Sequence, residues 1–143
     1  MKVALLHLLL CVMLALIPGL SSAADEDEAT KAANEIITSI RDKNFEKLWN
    51  LQMSDGLKSQ VTKDLFFTRQ RERSHQLGVI SNSVFIGMER LQTDRLTGFE
   101  GVVFAFKCRS SYTTGIFYEE IVIVKEKDGK FRLSGQYMAP WPE

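Results

Sequence analysis

Near residue 79 the apolar pattern of this chain changes its period, and that change restricts the fold more than any other feature. Before it, apolar residues recur at three- and four-residue steps, as on one face of a helix; after it they alternate, as on one face of a strand. Ala29, Ala32, Ala33, Ile36, Ile37 and Ile40 form a helical stripe over 25–41. The acidic residues Asp25 to Glu28 suit the positive end of that helix. Asn44 predicts the cap of a second, short helix carrying Phe45, Leu48, Trp49 and Met53 inward, with Ser54-Asp55-Gly56 ending it. Thr62 predicts the cap of a third, which runs through Leu65, Phe66 and Arg69 towards Leu77 and stops at Gly78.

The alternating half begins with Val84, Ile86 and Met88 on one face of a first strand, followed by turn residues from Thr93 to Gly98. Val102, Phe104, Phe106 and Cys108 alternate in a second strand, which points Cys108 inward as a small hydrophobe. Residues 117–124 are apolar on both faces towards their end, and Asp128-Gly129 signals a two-residue hairpin. The last strand sets Phe131, Leu133 and Tyr137 on one face. Gly87, Gly101, Gly115 and Gly135 are the expected places for bulges or tight packing. Helices followed by hairpin-linked strands make an α+β domain: N-terminal helices packed on a curved antiparallel sheet of about four strands. One face of that sheet is expected to be buried and the other wetter. This is the plan of the cystatin-like and nuclear-transport-factor-like cones.

The start of the chain sets its compartment. Met1-Lys2, an almost wholly apolar run from Val3 to Ile17, the helix breaker Pro18-Gly19 and small residues Ser21 to Ala24 have the layout of a secretory signal peptide. The apolar run is too short for a membrane-spanning helix. Cleavage is expected after Ala23, with Ala24 as the neighbouring choice, leaving 24–143 as a single periplasmic or secreted domain without a stable membrane span.

The closing segment, from Glu119-Glu120-Ile121 through Asp128-Gly129-Lys130-Phe131 to Gly135-Gln136-Tyr137, resembles exported bacterial proteins of the domain-of-unknown-function family numbered 4019. The Ala-rich first helix, Phe45 with Trp49, and Leu77-Gly78 match as well; Phe131 stands where such proteins usually have Trp. The resemblance implies this fold and export, and no activity.

Composition narrows the chemistry. Lys plus Arg and Asp plus Glu are equal at 18 each, so there is no basic excess for nucleic acid. Cys11 and His7 lie in the leader, leaving Cys108 and His75; that excludes an internal disulfide and the usual zinc cluster. No metal, cofactor or catalytic set is implied.

Trp49, Phe66, Tyr118 and Glu119 are the ligand-pocket candidates. Glu119 shares a strand face with Phe117, Ile121 and Ile123; it is either paired and shifted in pKa, or it lies near the sheet edge and reaches water. Arg69 and Arg73, four residues apart, form one helix face that could grip an anion, or else a solvated surface. His75 is expected to face solvent. Trp141, between Pro140 and Pro142, is a partner-contact candidate that could equally fold back on the sheet. The first functional expectation is non-enzymatic binding of a small ligand or protein partner, a homodimer through the sheet being compatible with it. The alternative is a small-pocket acid–base enzyme of isomerase or hydratase type.

Overall fold

In the computed structural model, which describes residues 18–142, the change of period falls where the helices end. Helix α1 spans Pro18–Arg41, α2 is the single turn Phe45–Lys47, and a π-helical turn covers Leu48–Gln52. Helices α3 (Asp55–Gln60) and α4 (Lys63–Leu77) follow. Strands β1 (Ile80–Thr93), β2 (Glu100–Tyr112), β3 (Gly115–Lys125) and β4 (Phe131–Pro140) make an open antiparallel sheet in the order β1-β2-β3-β4. The molecule is an α+β fold. Residues 1–17, with the apolar run, lie outside the described residues.

Three side-chain caps start the later helices. The Asn44 side chain accepts from Lys47 N–H (3.1 Å), Ser54 from Leu57 N–H (3.1 Å) and Thr62 from Leu65 N–H (3.3 Å). Ser54 therefore opens α3, where the sequence reading has it closing a helix. Gly78 stops α4 with φ +77°, its N–H donating to Ser74 O. The break expected at Pro18-Gly19 concerns the apolar run before it, which lies outside the described residues.

The core lies between the helices and one sheet face. Ala29, Ala33 and Ile36 of α1 pack there with Leu48, Met53, Phe66, Phe104, Phe106, Ile121, Ile123 and Leu133. Trp49 sits against Phe66, ring centroids 5.6 Å apart, and Phe104 against Phe131 at 5.9 Å. The opposite face is not simply wet. Val103, Ala105, Val122 and Val124 are buried on it under Leu91 and Phe99.

Two bulges alter the expected faces. Between Phe85 and Gly87, β1 carries one residue more than β2, so Val84 and Met88 fall on opposite faces. Val84, Ile86 and Met88 are all exposed. A second bulge lies opposite Val122/Ile123, where Leu133 and Gly135 are the paired residues. It turns Tyr137 away from Phe131 and Leu133 onto the other face. The Asp128-Gly129 turn also differs. Gly129 is left-handed (φ +80°) but Asp128 is not, and Gly129 N–H donates to Glu126 O. A two-residue I′ turn needs positive φ at both positions; here a type I turn with a glycine bulge closes the hairpin. Asp128 instead holds Arg132 through two oxygens (2.9 and 2.6 Å).

The β1–β2 loop is pinned by a carboxylate. Asp94 is 1% exposed and accepts from Leu96 N–H, Thr97 N–H, and the hydroxyls of Thr97 and Ser134. Burial alone would raise its pKa, yet these donors together hold it below the ordinary value. Asp94→Asn puts an amide donor among those donors and is expected to destabilise the fold by about 1–3 kcal/mol in urea denaturation. A loss below about 0.5 kcal/mol would show that the network is not what fixes the loop.

Candidate functional site

β3 is an interior strand, paired to β2 and β4 along its length, and its alternation sends Phe117, Glu119, Ile121 and Ile123 towards the helices. Glu119 is therefore buried (2% exposed), and the expectation that it reaches water at a sheet edge is overturned. Its neighbour across β2 is Cys108, and its neighbour across β4 is Met138. At the end of β2 the Tyr112 phenol turns to the same face and donates to Glu119 Oε1. Tyr112 also meets Phe117 edge-on, centroids 5.6 Å apart. The Ser110 and Ser83 hydroxyls are hydrogen-bonded to each other on this face at 2.8 Å.

Helix α4 supplies the opposite wall. Phe66, Gln70, Arg73 and Leu77 follow one another at three- and four-residue steps, and Phe66 and Gln70 are buried. Arg73 brings positive charge to Glu119 and Tyr112. Its Nη1 is buried with no hydrogen-bond partner, and so are both amide atoms of Gln136, which pairs with Ile121 on the same sheet face. Such unpaired groups are uncommon in a settled interior. Between α4 and the ends of β3 and β4 lies an open cleft of about 350 Å³. Arg69, Arg73 and Glu72 line it with the apolar side chains of Leu77, Phe117, Met138 and Pro140.

The electrostatics follow from burial. Loss of water pushes the Glu119 carboxyl above its ordinary value, and the Tyr112 donor, the Arg73 charge and Ser110 offset only part of this. Burial, then the Glu119 charge, raises the Tyr112 phenol. The same two causes push the Cys108 thiol up to about 12, which leaves it protonated and unreactive at neutral pH.

The sequence candidates separate in space. Arg69 and Arg73 line the cleft, while Glu119 is buried and does not line it, though it feels the Arg73 charge. Trp49 and Phe66 pack against each other in the helical part of the core, away from the cleft at Arg73. Tyr118 is on the other sheet face, donating to Glu120 Oε2 at 3.1 Å, so its place beside Glu119 is corrected by the strand alternation. Trp141 folds back: its N–H donates to Ile116 O (3.0 Å) and the Arg109 guanidinium lies 5.4 Å from its ring centre. His75 is exposed late in α4. Ser110 and Gln136 are not marked as site residues by the sequence, and Tyr112, a polar candidate there by residue type, is not paired with Glu119 by it. Tyr112 and Ser110 carry the alternation of Phe104 to Cys108 onward, which is the signal that could have placed them.

Among the described residues no helix is long and apolar enough to cross a membrane. No family model matches the chain, and no curated protein does. A solved structure from Catenulispora acidiphila is similar at TM-score 0.57 and 13% identity, over 84% of this chain and 94% of that one. That likeness shows the fold alone.

Glu119→Gln keeps an acceptor for Tyr112 and removes the titration. Below the carboxyl pKa of the unfolded chain, both states are protonated and the wild type has its full share of stability from this group. As pH rises, the unfolded chain releases its proton first, and stability falls until the higher native pKa is passed. In urea denaturation from about pH 4 to about pH 8, the variant is expected to gain on the wild type as pH increases. A difference between the two that does not change with pH would contradict a raised Glu119 pKa.

Proposed function

We propose that this chain is a binding domain for a small apolar molecule carrying a carboxylate, held in the cleft between α4 and the β3–β4 end. The observation that supports it most is the Arg73 guanidinium, with a buried nitrogen lacking a partner, at a cleft whose other lining pairs the polar Arg69, Glu72 and Gln76 with the apolar Leu77, Phe117, Met138 and Pro140. Arg73 Nη1 donates to no acceptor in the protein, Glu119 included, so that nitrogen is left to meet an incoming anion. Arg69, one turn earlier on the same face, adds a second cation at the mouth. An apolar body in contact with Phe117 and Met138 and a carboxylate on the two arginines satisfies both halves of the cleft.

A second reading, acid–base catalysis of isomerase or hydratase type, is favoured by one observation, the Tyr112 phenol hydrogen-bonded to buried Glu119. The two readings part at Glu119→Gln. A carrier keeps its affinity in that variant, whereas an acid–base enzyme loses turnover.

Benzoate is a suitable first probe. Calorimetry is expected to show saturable binding that Arg73→Met weakens at least about tenfold. Arg69→Ala weakens it less, and Arg71→Ala on the outer side of α4 leaves it unchanged. Equal affinity in all three variants would place the anion elsewhere and remove this reading.

The proposal includes export, with residues 1–23 as a signal peptide and the domain acting in the periplasm or outside the cell. The charged start, apolar run and small residues of 1–24 support that compartment. Mass analysis of the exported protein should find a mature chain starting at Ala24 or Asp25. Retention of the full chain in the cytoplasm would contradict it.

A further inference from the structure

A different part of the molecule carries a second polar anomaly. The π-helical turn Leu48–Gln52 is wider than an α-helical turn, a form that recurs at functional sites. It is fixed rigidly to the sheet: Met53 bridges Leu133, and Ser54 N–H donates to Leu133 O at 2.8 Å. The turn buries Leu48 and Gln52 while leaving Leu51 67% exposed. Gln52 is 7% exposed, and neither its amide nitrogen nor its amide oxygen has a hydrogen-bond partner. An amide buried this way forfeits its bonds to water with nothing in return.

Gln52 lines a groove of about 340 Å³ between α1, the π-turn and the β3–β4 hairpin. The rim carries both charges. Glu28, Lys31 and Glu35 come from α1, Lys47 from the turn before, and Lys130 from the hairpin. Gly129 and Phe131 complete the hairpin side. The groove is distinct from the cleft at Arg73, with which it shares no lining residue.

The geometry points to this groove as a binding site for a short zwitterionic peptide. A peptide bond offers one donor and one acceptor, the complement of the two unpaired atoms of Gln52. Its carboxylate has the lysines to meet and its ammonium the two glutamates, and a groove of this volume accommodates a molecule of dipeptide size. Exposed Leu51 gives a side chain of the peptide an apolar surface.

The test is a titration of the isotope-labelled protein with alanyl-alanine, followed by NMR at the Gln52 side-chain amide and at the backbone amides of Leu51 and Lys130. Saturable shifts are expected, with a dissociation constant on the order of 1 mM. Gln52→Leu removes two unpaired polar atoms from the interior, so it should fold with at least the wild-type melting temperature. It should weaken binding at least about tenfold. Lys130→Ala, on the exposed hairpin, should weaken it severalfold. Shifts that never saturate, or that are the same in both variants, would overturn the proposal. So would a Gln52 amide whose contacts with a bound water persist unchanged at high peptide concentration.

Discussion

β3 is hydrogen-bonded to a strand on each side from Phe117 to Val124, and this double pairing governs the rest of the molecule. A strand held on both edges cannot slip by a residue without reversing every side chain it carries. The faces of Phe117, Glu119, Ile121 and Ile123 are thus set by the ladders and not by their own polarity. Ile121 and Ile123 build the core under the helices, and Phe117 walls the cleft beside α4. The fourth is a carboxylate, and it goes to the same buried face because its neighbours do.

That constraint explains the chemistry around Glu119. An acid placed at such a position must be neutralised, bonded or both. Tyr112 reaches it from the far end of β2, and Arg73 comes from the helix above it. Neither partner fully balances the burial, so the carboxyl is held above its ordinary range and Arg73 is not consumed by it. The open cleft lies where α4 leaves the sheet, which is where this residual positive charge faces outward. Asp94 shows the opposite solution in the same molecule. It is buried to a similar degree, but four donors surround it and hold its carboxyl below the ordinary value, so its hydrogen bonds go to the loop.

Much of the helical half was legible because capping is local. Asn44, Thr62 and Gly78 each do what their residue types predict, within a few residues of chain. The sheet was legible in its period but not in its breaks. One extra residue near Ile86 and another near Ser134 reverse the faces of Met88 and Tyr137, and neither bulge leaves a mark in the alternation. The adjacent Gly87 and Gly135 hinted at where such breaks could occur. Glu119 could be assigned to a face from sequence, while its depth depended on β3 being interior, which is a matter of strand order. Gln52 had no signal at all, since a π-turn has no spacing of its own to read. The pairing of Arg69 with Arg73 came from helical spacing, and only the fold shows that they flank the end of the sheet where Glu119 lies.

The central claim is that Glu119 is an interior acid with a raised pKa, coupled to the anion site proposed at Arg73. Its most direct test is a carbon-detected NMR titration of the Glu119 carboxyl, with and without benzoate. The account predicts a pKa above the usual glutamate value of about 4.3, rising further when the anion is bound, because a second negative charge then shares Arg73. A carboxyl that titrates at the ordinary value and does not move with benzoate would contradict it.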